Sequence, residues 1–374
     1  MHSVDVIVVG LGGMGSAAAW QLARRGASVL GFEQFRRGHD RGSSHGSTRI
    51  IRQAYYEHPA YVPLVRRAYE GWYDLEMARG ESLLINSPCL TVGSPRGELV
   101  QGVLASADEH GLAVERLTPA EVRRRFPGFH LREDSDQVGV LEHTAGILAV
   151  ERCVEAMTAE ATRLGATLRE EEPVQSWVCD GNGVLVRTTR GEYRAGRLVL
   201  TSGPWAAPLL SETGHSLRVM RQVALWHSTS RPDLFRRDRF PVYIAETADG
   251  YFYGFPMLDP RGVKAARHYG APEQTHPDEV SREVTAQDAQ VVQGFLRDYL
   301  PGVDGPCQSG SVCLYTLTPD RHFLIDRLPG ATQVVFAAGF SGHGFKFATV
   351  VGEILADLAL EGKTGWPIEL FRRR

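Results

Sequence analysis

Gly10-Leu-Gly12-Gly13-Met14-Gly15 follows an apolar run at 4–9 and opens a stretch of helix formers at 17–23 that closes on Gly26. Glycines at this spacing suit a pyrophosphate. Gly10 turns the chain, Gly12 lets the backbone approach the anion, and Gly15 lets the helix lie close against its strand. The anion would rest at the positive end of that helix, where unpaired N–H groups point at it. Glu33 ends the next apolar run about twenty residues on, where a carboxylate accepts from both ribose hydroxyls and repels a 2′-phosphate. The pattern predicts a βαβ unit for NAD or FAD and leaves the choice between them open.

Other residues with chemistry in them are scattered. Gly339-Phe-Ser-Gly342-His-Gly344-Phe-Lys346 sets three glycines and a cation between a strand and a helix, a backbone open to a flat ring or an anion. Of 41 basic residues only Lys264, Lys346 and Lys363 are lysine. A chain so biased to arginine keeps lysine where a compact point charge is needed and a planar fork does not fit, although Lys363, in a Glu-Gly-Lys-Thr loop, reads as residual codon usage. A period of two puts Cys313 and Tyr315 on one strand face, and Lys264 and His268 on another, the latter pair roughly 13 Å apart. A small buried thiol and a solvated strand face are the ordinary accounts of these two spacings.

Arg49 and Arg52 carry forks suited to a carboxylate or a phosphate. Just before them, Gly42-Ser43-Ser-His-Gly46 matches the letters of the serine-hydrolase elbow, but a polar loop precedes it where that motif requires a strand, so a hydrolase is excluded. The histidines and cysteines show no paired metal-ligand spacing, and no metal is expected. Five cysteines without a C-x-x-C pair predict free thiols in a reducing compartment.

These residues need a scaffold that brings them together. A chain of 374 residues is long enough for two domains, and a net charge of -3 gives no electrostatic case for nucleic acid or anionic membrane. No apolar stretch reaches spanning length and the first strand leaves no room for a signal peptide, so a cytoplasmic protein is expected. Helices are predicted at 61–79, 98–110, 119–126, 153–164, 286–300 and 344–360, and strands at 83–92, 174–178, 184–188, 197–201 and 333–339. Between 217 and 315 the texture turns to strands rich in aromatic and β-branched residues. The expected fold is mixed α/β, a Rossmann-like dinucleotide domain closed by C-terminal segments, with antiparallel insertions forming a second domain over the cofactor. The division is placed at 1–85, 145–215 and 318–374 for the first domain and at 86–144 and 216–317 for the second.

Taken together, the Gly10 to Gly15 turn, Gly42-Ser-Ser-His-Gly-Ser-Thr-Arg-Ile-Ile-Arg-Gln-Ala-Tyr, Tyr253-Gly-Phe-Pro, Cys313-Leu-Tyr-Thr and Gly339-Phe-Ser-Gly-His-Gly-Phe-Lys resemble the monomeric sarcosine oxidase family over nearly the whole chain. The resemblance implies oxidation of an N-methyl or cyclic secondary amino acid by FAD, with hydrogen peroxide as co-product, in a monomer whose partners are that amino acid and dioxygen. It implies a bond from Cys313 to the flavin 8α carbon, made by the thiolate. Arg52 and Lys346 match the residues holding the substrate carboxylate. Lys264 matches the residue that assists oxygen, a fixed ammonium stabilising developing superoxide. Tyr253, His268 and Tyr315 correspond to the substrate pocket, Ser43 to a cofactor contact, and Thr48 and Arg49 to neighbours of the flavin ring. Three departures stand out: Ser47 where the family often has Asp, Gln53 where it often has His, and Glu33 for Asp at the ribose. Gln53 adjoins Arg52, so substrate preference can differ from sarcosine. An N-methyltryptophan or a pipecolate/proline type of oxidase is the near alternative, a flavin dehydrogenase that Lys264 argues against is a second, and a non-catalytic nucleotide-binding protein is the distant one.

Overall fold

The computed structural model describes residues 3–210, 216–274 and 276–372. The strand Ser3–Val9 lies parallel between Val29–Phe32 and Glu192–Leu200, and Ala331–Ala338 extends the parallel layer beside the far end of Glu192–Leu200. Val6, Ile7 and Val8 are wholly buried, as the centre of a sheet covered on both faces requires. Val6 and Val8 face a layer of helices, Gly13–Arg24, Val62–Arg79, Val150–Arg163 and Ala348–Leu360. Ile7 and Val9 face Val184, Val186 and Leu217. Thr167–Arg169, Val174–Asp180, Gly183–Thr188 and Leu324–Leu328 complete eight strands.

A second sheet of nine strands draws on Cys89–Gly93, Val114–Leu117, Val138–Glu142 and the strands between 218 and 317. Its pairings are antiparallel except one: Val242–Thr247 runs parallel to Cys89–Gly93, which the long chain between them permits. Cys307–Leu317 lies beside Arg218–His227, which in turn meets Val263–His268, and Gly250–Phe255 follows. Gln222 is directly opposite Cys313, Trp226 opposite Lys264, and Tyr251 opposite His268. Side chains paired in this way share a face, so the period of two gathers Cys313, Tyr315, Lys264, His268 and Tyr253 on one side of the sheet.

The single strand expected at 83–92 is two. Leu84–Asn86 joins a small sheet with Gly146–Ala149 and Thr48–Ile51, and Cys89–Gly93 joins the large one. Pro88, with no N–H to give a ladder, sits at the break. The helix expected at 153–164 starts earlier, at Val150, and the last helix opens with a tight turn, Phe345–Phe347. Among the described residues, no helix is long and apolar enough to cross a membrane.

Candidate active site

The C-terminal ends of the parallel strands deliver Gly10, Glu33, Thr201 and Gly339 to one end of a cavity, the position at which open α/β sheets bind ligands. Gly10 has φ +85°, and a Cβ on Gly15 would stand 1.7 Å from the Gly10 carbonyl oxygen, so neither position admits a side chain. Gly15 therefore seats the helix behind the cavity wall, while Gly10, Gly12, Gly13 and Met14 form the wall itself. Ser44 Oγ accepts from the Gly13 N–H at 3.0 Å. The Glu33 carboxylate accepts from Leu11 N–H at 2.9 Å and Phe35 N–H at 3.1 Å, which fixes it to the glycine turn at the cavity rim. Ser202 Oγ, on the same wall, is buried with no partner among the described residues, a polar atom waiting for a ligand.

The cavity then passes under the second sheet. Cys313 lies there, 5% exposed, with the Arg49 guanidinium 3.4 Å from its sulfur and His45 Nδ1 at 3.9 Å. Burial alone would push this thiol up, but Arg49, His45 and Lys264 together bring it down to about 6. Arg49 is itself pinned by the carbonyls of Thr48 and Ser43 at 2.8 and 2.7 Å. The Ser43 hydroxyl is spent on the Leu314 carbonyl, clamping the strand that carries Cys313. Lys264 donates to Gly46 O at 2.6 Å and Thr48 Oγ1 at 2.9 Å, and burial beside Arg49 lowers it to about 7. Thr48 is thus behind the wall, holding Lys264, and is not among the residues lining the cavity.

At the far end two cations share one aromatic ring. Arg52 lies 4.3 Å and Lys346 Nζ 5.2 Å from the centre of Tyr55. Arg52 is 3% exposed, with its fork on Ala54 O and Glu57 Oε2, both at 2.8 Å. Lys346 donates to His343 O at 2.7 Å; burial, then repulsion from Arg52, lowers it to about 7. Tyr55 OH meets His343 Nδ1 at 2.6 Å, and burial brings that imidazole down to about 4. His268 Nδ1 is 3.1 Å from Tyr315 OH and its ring meets Tyr253 edge-on. Burial lowers His268 to about 3, so it stays neutral. Gly342, φ +85°, lies so close to the Tyr315 ring that a Cβ would approach it to 2.4 Å, and Gly344 is as tightly held against Phe340.

Every candidate residue of the sequence reading except Gly15 and Thr48 lines this one cavity. Several groups that shape it were not singled out. His45 carries an Nε2 without a partner among the described residues, and Glu57 pairs with Arg52. Glu142 accepts from the N–H groups of Gln53 and Ala54 at 2.7 and 2.9 Å, fixing the bend after Arg52. His45 and Glu57 stood close to flagged arginines in the chain, a signal that could have found them. Glu142 offered none.

The donor set suits a flavin dinucleotide: a glycine cradle and a buried carboxylate at one end, a thiol of lowered pKa beside a broad cavity in the middle, and cations beyond it. Residues 5–358 match the FAD dependent oxidoreductase family. The chain is 44% identical over 375 residues to the monomeric sarcosine oxidase of Streptomyces avermitilis, covering 99% of this chain and 97% of that one. It is 35% identical over 366 residues to the N-methyl-L-tryptophan oxidase of Salmonella agona, covering 96% and 95%. Among solved structures, NikD, an unusual amino acid oxidase essential for nikkomycin biosynthesis, superposes with a TM-score of 0.88 at 29% identity, over 100% of this chain and 98% of that one.

Proposed function

The chain belongs to the monomeric sarcosine oxidase family of FAD dependent oxidoreductases, and on that premise we propose that it oxidises sarcosine or a related secondary amino acid to the primary amino acid, an aldehyde and hydrogen peroxide. The observation that carries the reading is the convergence of Arg52 and Lys346 on the Tyr55 ring, in the same cavity as the Cys313 thiolate and Lys264. FAD, held by these residues, would supply the two-electron acceptor and the route of the electrons to dioxygen.

The chain's own part is attachment, orientation and charge. The Gly10 turn and Glu33 hold the nucleotide, and Cys313 holds the ring end through sulfur, its thiolate being the nucleophile. Arg52 and Lys346 bind the substrate carboxylate, which sets the amine toward His268, Tyr315 and Tyr253. With His268 neutral and both tyrosines protonated, these three side chains offer the amine no negative charge, while Arg49, Arg52 and Lys346 lie nearby as cations, and that favours the unprotonated amine whose lone pair is needed. Lys264 offers a fixed positive charge to dioxygen as negative charge develops on it. On this reading residues 1–85, 145–215 and 318–374 carry the cofactor, 86–144 and 216–317 form most of the substrate side, and the protein works as a cytoplasmic monomer.

Peroxide release across sarcosine, N-methyltryptophan, other N-methyl amino acids, proline and pipecolate tests the activity, with sarcosine or a close N-methyl relative expected to be fastest. Acid precipitation tests the attachment: a yellow pellet is expected, and a yellow supernatant would remove Cys313 from its role. A further result follows from Lys346. A bound carboxylate raises a lysine whose free value is about 7, so at a pH of about 8, where the free amine is mostly neutral, binding should take up close to one proton. Calorimetry with a carboxylate lacking an amine, in buffers of different ionisation enthalpy, reads this directly. Lys346→Met should abolish the uptake, and its persistence would shift the proton to another group.

A further inference from the structure

Lys264 is 3% exposed, and the ammonium is held by the oxygens of one short segment: Gly46 O at 2.6 Å, Thr48 Oγ1 at 2.9 Å and Thr48 O at 3.4 Å. That segment has an unusual backbone. Gly46 has φ +91° and Ser47 φ +71°, two successive left-handed residues, the second of a type that avoids the region. The two N–H groups of this pair converge on one point. The point is occupied by the Glu151 carboxylate, whose Oε1 accepts from Gly46 N–H at 2.7 Å and from Ser47 N–H at 3.1 Å, with Oε2 also 3.1 Å from Ser47 N. The Ser47 carbonyl in return accepts from Val150 N–H at 3.1 Å, so the segment and the start of the helix Val150–Arg163 lock each other.

One peptide group connects the two charges. The Gly46 carbonyl faces the ammonium, and the N–H on the other side of that same amide faces the carboxylate. A hydrogen bond at one end of an amide polarises it and strengthens the bond at the other. We propose that Glu151 is a positioning residue for Lys264, acting through the Gly46–Ser47 peptide to hold the ammonium in place and keep it charged. The proposal rests on the assignment of Lys264 to the oxygen step and adds how that charge survives burial.

The surrounding charges oppose and support it in turn. Arg49 and Arg261 repel the ammonium, Glu151 and Asp259 attract it, and the Cys313 thiolate attracts it only until its sulfur is bonded to the flavin. Trp226 and Phe255 present ring faces at 4.9 and 4.8 Å. Arg261, paired with Asp259, lies 4.4 Å from the same Trp226 ring and donates to Ser47 Oγ at 3.0 Å, a second tie on the segment. Glu151 is therefore the carboxylate that both fixes the segment's shape and offsets the two guanidinium groups.

The chain contains only three lysines, so isotope-labelled lysine in the holoenzyme reports Lys264 directly, its resonance assigned by its absence from Lys264→Met. Glu151→Gln, which keeps the side chain's shape and removes its charge, should lower the Lys264 titration midpoint by about one pH unit. The fall of the flavin reoxidation rate with rising pH should move by the same amount, while anaerobic reduction by substrate stays unchanged. Arg261→Met carries the opposite sign, because it removes a repelling cation and leaves Asp259 uncompensated, so the midpoint should rise. An unshifted midpoint in Glu151→Gln, or a fall in both variants, as general loosening would give, overturns the proposal. A normal reoxidation rate in Lys264→Met would instead overturn the assignment of Lys264, whatever the titration shows.

Discussion

Lys264→Met is expected to slow reoxidation of the reduced holoenzyme by dioxygen about a hundred- to a thousand-fold, the cost typical of removing one pre-positioned charge from a buried site. Methionine keeps the length and apolar stem of lysine between Trp226 and Phe255 and removes only the ammonium. Anaerobic reduction by substrate should change little, because the substrate side of the cavity is built on Arg52, Lys346 and His268. Stopped-flow measurement of the two half-reactions separates these outcomes, and unchanged rates in both would remove Lys264 from the oxygen step. The pH dependence adds a check with a definite sign. Lys264 is lowered to about 7 by burial and by Arg49, so its charge is present below that value and lost above it. Wild-type reoxidation should fall as the pH rises through the midpoint, and the methionine variant should be flat.

The residues behind that result were legible in the sequence to different degrees. Cys313 and Tyr315 announced a shared face by their spacing, and the sheet confirms it by setting Gln222 opposite Cys313. Lys264 and Lys346 stood out because the chain almost avoids lysine. Glu142 and Glu151 left no trace, since each binds backbone N–H groups and every residue but proline has one. The strand Thr48–Ile51 was also missed, because four residues with an arginine among them carry too little alternation to read. The break in 83–92 was marked by Pro88, but the apolar run on both sides outweighed it. Local pattern thus revealed which side chains share a face; that the face of Lys264 and His268 lies over the cavity, where its spacing alone suggested a solvated one, and that acids hold the backbone beneath it, became visible only in three dimensions.

The second large effect concerns the carboxylate. Arg52→Ala should raise KM for amino acid substrates about a hundred- to a thousand-fold, because truncating one member of a buried hydrogen-bonded charge pair loses the attraction and strands its partner. The stranded partner is Glu57, which Arg52, His343 and Lys346 now hold below the usual carboxylate range against the effect of burial. Without the guanidinium it repels the substrate's own carboxylate. Amide analogues, which carry no such charge, should lose far less, and equal losses for acid and amide would sink the assignment. Lower pH should narrow the gap between variant and wild type, since Glu57 without its partner takes up a proton more readily. Combining Arg52→Ala with Glu57→Gln should recover part of the binding for the same reason, and steady-state kinetics on the single and double variants reads the coupling.

The first helix and the last are in contact so close that a Cβ on Gly352 would approach the Ala17 carbonyl carbon to 2.5 Å. The fourth parallel strand in chain order, Glu192–Leu200, likewise waits for Ala331–Ala338. During synthesis the glycine turn therefore emerges with neither its packing partner nor the far edge of its sheet, and pairings this distant in sequence close slowly. Cofactor loading must follow synthesis of Ala331–Ala338 and of the helix Ala348–Leu360, and a polypeptide ending before Ala348 would expose the apolar side of the helix Gly13–Arg24 to aggregation. The glycine turn is made well before the segments that let it settle.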